Sequence, residues 1–250
     1  MNSNNPFGNL GTDGLEQTRD SLGSGGAIDS DSYTGKITLA YAGASKGGAR
    51  FLAVVIDLNG REYRETLYVT NKKGDNFYEK GGKKIPLPGF TVANDLALLA
   101  TGHPLGAQDI EEKIASLYNF EERKEIPTKV QAVTSMMGKD ICVGVLKSIV
   151  DKTKLNEQTG SYDPTGETRE ENNIDKVFHA ESHNTVSEVT ANGGKLGNAE
   201  FHDKWVEKNR GTVRNKATGA TGKSGVPGQA AAAPAAGAAG KPAGKSLFGG

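Results

Sequence analysis

From Arg61 to Thr70 the apolar and polar positions alternate, with Tyr63, Leu67 and Val69 on one side and Arg64, Thr66 and Tyr68 on the other. A period of two is that of a strand with one face in a core and the other outside. Lys36–Ala42 predicts an earlier strand, with Ile37, Leu39 and Tyr41 on one face. Arg50–Leu58 is apolar on both faces, as a central strand must be. Asn59-Gly60, which joins it to Arg61, suits a two-residue type I′ turn because both residues tolerate positive φ. Three antiparallel strands in a row are therefore expected. The chain then turns through Asn71–Asp75 and returns over Asn76–Lys80.

The period changes between Phe90 and Thr101. Val92, Leu96, Leu99 and Ala100 recur at helical spacing, with Thr91 as candidate N-cap and Gly102 as C-cap. Strands resume over Glu112–Tyr118, Lys124–Val133 (interrupted by Pro127) and Asp140–Asp151, the last two separated by a turn at Met136–Lys139. A polar loop runs to about Gly166, a final strand spans Glu167–Ala180, and short helices cover Thr185–Ala191 and Ala199–Asn209. Strands, one helix, then more strands predict a mainly β protein. An OB-type antiparallel barrel with an inserted helix is the closest common architecture, and periodicity alone also fits a β-sandwich.

Composition sets the boundaries. Residues 1–35 read as a flexible acidic leader, with five acids against Arg19 and at most a helical turn near Leu15–Leu22. Residues 210–250 carry six basic residues and no acid in a Gly/Ala/Pro-rich stretch, which reads as a disordered basic tail. The folded domain is expected over 36–209. Formal net charge is zero, so no global electrostatic signature marks a nucleic-acid binder. The N-terminus lacks the basic and apolar regions of a signal peptide, and no apolar run has the length of a membrane span; a cytosolic protein without membrane partners is expected.

The densest chemistry lies between Arg50 and Phe90. Arg50, Arg64, Lys72, Lys73, Lys80, Lys83 and Lys84 interleave with Tyr68, Phe77 and Tyr78. Cations that hold phosphates, beside rings that stack on bases, are what a single-stranded nucleic acid requires. An ordinary meander with solvated lysines has the same composition. Other signals are weaker. Ala217–Ser224 imitates a phosphate loop, but no strand and helix flank it. His179 and His183 are four residues apart but lack the metalloprotease Glu, and a lone Cys142 with four scattered histidines is no zinc framework. No Gly-x-Ser-x-Gly elbow occurs. No catalytic residue, cofactor or metal is expected.

Glu65–Gly74 (ETLYVTNKKG), Lys84–Phe90 (KIPLPGF), Asn94-Asp95-Leu96 and Thr101-Gly102 resemble a family of bacteriophage single-stranded DNA-binding proteins. Gly166–Arg169 and Asp175–Glu181 resemble that family's C-terminal segment, so the likeness spans about residues 36–210. It implies an OB-type fold, stoichiometric coating of single-stranded DNA in phage replication and recombination, and residence in the cytoplasm of the infected host. Many such binders end in an acidic tail with a terminal Phe that docks partner proteins. This chain instead ends in basic sequence closing on Ser246-Leu247-Phe248-Gly249-Gly250, where Leu247-Phe248 is the candidate hook for phage replication proteins. A phage structural or assembly protein with a β-domain is the alternative.

Overall fold

The computed structural model describes residues 26–119, 122–158 and 162–218. They form two compact units: one runs to Ile149 and resumes over Glu170–Arg214, and the other comprises Val150–Arg169 and the residues from Asn215 onward. The leader's Leu15–Leu22 segment, most of the phosphate-loop lookalike and Leu247-Phe248 lie outside the described residues.

The first unit is built on a meander of β1 (Asp31–Ala44), β2 (Arg50–Leu58) and β3 (Arg61–Tyr68). β1 opens at Asp31 rather than Lys36, and Ile28 before it is buried, so the end of the expected leader belongs to the fold. Val54 and Ile56 of β2 face the core while Ala53 and Val55 are covered from the other side, which makes β2 central. Asn59 and Gly60 adopt φ of 56° and 87°, the mirror-image turn that their side chains permit.

β1 departs from simple alternation. Its register against β2 shifts between Ile37 and Leu39, where two residues oppose one. This bulge turns Ile37 and Ala40 into the core and leaves Leu39 and Tyr41 on the opposite face. The three residues expected on one face are therefore divided between two.

Helix α1 (Pro88–Thr101) follows a two-stranded hairpin, β4 (Phe77–Lys80) with β5 (Lys83–Pro86). The return from Asn71–Asp75 thus does not pair with β3. Consecutive glycines at 81 and 82, with φ of 59° and 72°, supply a local two-residue turn that gives β4 its own partner. α1 starts two residues before Phe90, with Pro88 at its first turn and Leu87 at the cap. Thr91 is already helical, its hydroxyl donating to the Leu87 carbonyl. Gly102 closes the helix in the left-handed conformation as expected. Ala93, Leu96 and Ala97 form its buried face, with Val92 and Leu99 partly buried beside them.

Beyond a single 3-10 turn, β6 (Ile110–Asn119) and β7 (Lys124–Val133) form a long hairpin, with Pro127 accommodated opposite Ser116. β8 (Asp140–Leu155) returns to β1. Val145–Asp140 pair with Asp31–Lys36, and β7 pairs with Tyr41 and Ala42 further along the same edge. β9 (Tyr162–Phe178) pairs with β8 and begins inside the expected loop. α2 (Val186–Ala191) is held by a capping box between Thr185 and Glu188, and α3 (Glu200–Asn209) precedes a short β10 (Val213–Asn215) beside β8, inside the expected tail.

All the pairings with a recorded register are antiparallel, and the protein is mainly β. Among the described residues no ladder joins β3 to β8 or β9, so backbone pairing does not close the sheet into a barrel. Side-chain hydrogen bonds reach β9 instead, from β3 and from the segment before β1. The Glu65 carboxylate accepts the Ile174 N–H at 2.7 Å, and the Asn172 amide exchanges two hydrogen bonds with the backbone of Ile28.

A second cluster, Cys142, Leu146, Phe178 and Trp205, seats α3 on β8. The indole lies over Gly144, where an added Cβ would fall 2.9 Å from the ring, and its N–H donates to Asp175 at 2.8 Å. In the second unit the Lys152–Glu167 ion pair spans 2.8 Å, and the Asp151 carboxylate accepts both the N–H and the hydroxyl of Thr218. No helix among the described residues is long and apolar enough to cross a membrane.

Candidate nucleic-acid interface

The outer face of the meander carries a row of three rings, one from each strand. Phe51 meets Tyr41 edge to face at 6.4 Å between centroids and Tyr68 at 6.0 Å. The register sets this spacing, because Gly43 pairs with Phe51 and Phe51 with Tyr68. Gly43 is what lets the Phe51 ring lie flat across β1: a Cβ there would fall 2.4 Å from the ring. Tyr68 is 51% exposed at the end of the row. Burial pushes the Tyr41 phenol's pKa up, with the nearby Arg64 charge pulling the other way. Beside Phe51 a cavity of about 320 Å³ opens among Arg50, Val69, Phe90, Leu105 and Ile110.

Basic residues gather at the same end of the sheet. Arg50 opens β2, and its guanidinium donates to the Gly74 carbonyl at 3.3 Å. That contact ties the strand to the Asn71–Asp75 loop, which is itself locked by the Asn71 side chain accepting the N–H groups of Lys73 and Asp75. The stem of Lys72 lies against the β1–β2 loop, where a Cβ at Gly47 would sit 3.3 Å away. This brings Lys46, exposed in that loop, to the same end as Arg50, Lys72 and Lys73. α1 fixes the end of β3, because Gly89 packs on the Tyr68 backbone so closely that a Cβ would fall 2.4 Å from its carbonyl oxygen.

The β4–β5 hairpin supplies the remaining candidates. Phe77, Tyr78, Lys72 and Lys73 line an open cleft of about 700 Å³ together with Asp75 and Glu79. Lys84 places its ammonium 4.5 Å from the centre of the Phe77 ring, a cation–π contact. Lys80 and Lys83 stand directly opposite one another at the tip. Like charges in that position repel, and an anion between them relieves the repulsion. Tyr78 is 43% exposed.

The structure thus divides the ten sequence-predicted residues. Arg50, Tyr68, Lys72 and Lys73 meet at one end of the meander. Phe77, Tyr78, Lys80, Lys83 and Lys84 form an arm joined to it through the Lys72–Tyr78 cleft. Arg64 shares the outer face of β3 with Tyr68, but its charge is already matched. It pairs with Glu62 and lies 3.6 Å from Glu125, and the Glu62 hydrogen bond raises its pKa further. Its guanidinium is the least available cation of the set.

Sequence reasoning missed Tyr41, Phe51 and Lys46. Phe51 was hidden in an uninterrupted apolar run and Lys46 in a Gly-rich loop. Tyr41 was grouped with Ile37 and Leu39 on one face because a bulge leaves no trace in the alternation. The sequence matches neither any protein-family model nor any curated protein.

Proposed function

We propose that this protein binds single-stranded DNA without catalysis and without sequence preference, as a coating protein of phage replication and recombination. The observation that carries the reading is the Tyr41–Phe51–Tyr68 row on the outer face of the meander, half buried at Tyr41 and Phe51 and exposed at Tyr68, ending where Lys46, Arg50, Lys72 and Lys73 converge. Bases stack on rings whatever their identity, and the cations follow the phosphates, so the arrangement suits a strand of any sequence. The three-stranded meander, the helix after it and the return of two later strands to β1 support an OB-type reading of the fold, whose outer sheet face is a common oligonucleotide platform. The phage assignment rests on the sequence resemblance.

Titration of a fluorescein-labelled oligo-dT with the full chain, followed by anisotropy, tests the proposal against a duplex of equal length. Saturable binding of the single strand, with weaker binding of the duplex, is the expected result. No binding of oligo-dT at low salt overturns it in favour of an assembly role. Anisotropy is preferable to intrinsic fluorescence because Trp205, 5% exposed, is buried under α3 rather than in the ring row.

A further inference from the structure

Away from the interface, two of the chain's four histidines converge on its only cysteine. Cys142 comes from β8, His183 from the segment after β9, and His202 from the first turn of α3. One ligand atom of each lies within 4.8 Å of the others. The two imidazoles stack at 4.2 Å between centroids with 21° between planes. His183 holds φ of 57°, in the left-handed region that histidine enters more readily than most residues with a side chain.

The surroundings are those of a ligand set. Asp203 lies 3.0 Å from His202 Nδ1, so Nε2 is the nitrogen turned inward. A carboxylate on the outer nitrogen orients a ligating imidazole and raises its basicity. Nε2 is 3.0 Å from the Ser32 hydroxyl, which together with Thr34 also hydrogen-bonds Cys142. The thiol is 1% exposed. Nothing in the nucleic-acid reading uses this cluster.

We infer that Cys142, His183 and His202 form a three-ligand site for a borderline-soft divalent cation, zinc in the first place. Sulfur and two imidazole nitrogens fit tetrahedral zinc, with water or the Ser32 hydroxyl as the fourth ligand. Bonds of about 2.0–2.3 Å require the ligand atoms to close by roughly an ångström. His183 and His202 sit on a loop and a first helical turn, where side-chain rotation supplies that movement. On binding, the Cys142 thiol releases its proton to solvent and bonds the metal as thiolate. The ion would then clamp α3 and the segment after β9 onto β8.

Cobalt(II) is the probe. The full chain, dialysed against chelator, is titrated with Co²⁺ and then with Zn²⁺. A thiolate-to-cobalt charge-transfer band and strong visible d–d bands, saturating at one equivalent and erased by zinc, are expected. Cys142→Ser should lose the charge-transfer band. His183→Asn, which tolerates the left-handed backbone, should weaken affinity about tenfold or more, as should Asp203→Asn. Zinc should raise the melting temperature of the wild type and not of a His183→Asn/His202→Ala variant. Circular dichroism confirms that each variant is folded. No charge-transfer band in the folded wild type overturns the inference, as does an undiminished affinity in folded His183→Asn.

Discussion

The Glu65 carboxylate on β3 accepts the backbone N–H of Ile174 on β9 at 2.7 Å, between two strands that share no ladder among the described residues. The same oxygen accepts the Tyr63 hydroxyl at 2.6 Å. Burial holds the Glu65 pKa above the usual carboxylate range, with the two hydrogen bonds opposing the shift. A carboxylate whose pKa is raised on folding binds its proton more tightly in the native state. Stability from this group is therefore greatest below the unfolded pKa and declines as pH rises through the folded value. Glu65→Gln removes the titration, and its amide oxygen can still accept both bonds. Melting temperature measured from about pH 4 to 7 should decline less steeply in the variant. An unchanged slope would assign the decline to other groups.

Tyr68→Ala should weaken oligo-dT binding by about 1–3 kcal/mol, the loss expected of one base stack. The ring is half exposed, so the melting temperature should hardly move. Tyr78→Ala should behave alike. Wild-type affinity in the folded double variant would remove both rings from the interface.

Among the cations, Lys72 and Lys73 should differ from Arg64. Each lost phosphate contact flattens the plot of log affinity against log salt by about 0.7 on single strands. The Lys72→Ala/Lys73→Ala variant should therefore lose roughly 1.4 from the slope if both engage. Arg64→Ala should leave it nearly unchanged, since Glu62 and Glu125 already neutralise that guanidinium. A larger slope change in Arg64→Ala than in the double lysine variant would reverse this ranking.

Leu96 is fully buried between α1 and the meander. Leu96→Ala should cost about 2–5 kcal/mol in chemical denaturation. DNA affinity of the folded fraction should stay at the wild-type level. Selective loss of binding in a stable variant would place α1 in the interface itself.

Much of this architecture was legible where the cause is local. Alternation in 61–69, the Asn59-Gly60 turn, the two-sided β2 and the Gly102 cap each follow from a few adjacent residues, and each is found. What escaped depends on partners distant in sequence or on a single inserted residue. The bulge at Ile37–Leu39 put Tyr41 on the opposite face from Ile37. Gly81-Gly82 gave β4 a nearer partner than β3. Cys142, His183 and His202 are separated by tens of residues, and only the packing of α3 on β8 unites them. In the candidate interface the residue types were readable from the sequence, while the carboxylates around Arg64 were visible only in space.

The division of β1 between near and far partners has a kinetic consequence. Its pairing with β2 needs one short turn, whereas Lys36 meets Gly138 across 102 positions. Closing the longer loop costs more chain entropy, and contacts of that span form late. Pulse-labelled hydrogen exchange should find the amides of β2 and β3 protected before those of β8. A chain leaving the ribosome N-terminus first would then complete the Tyr41–Phe51–Tyr68 row while the strand that seals β1's other edge is still unsynthesised.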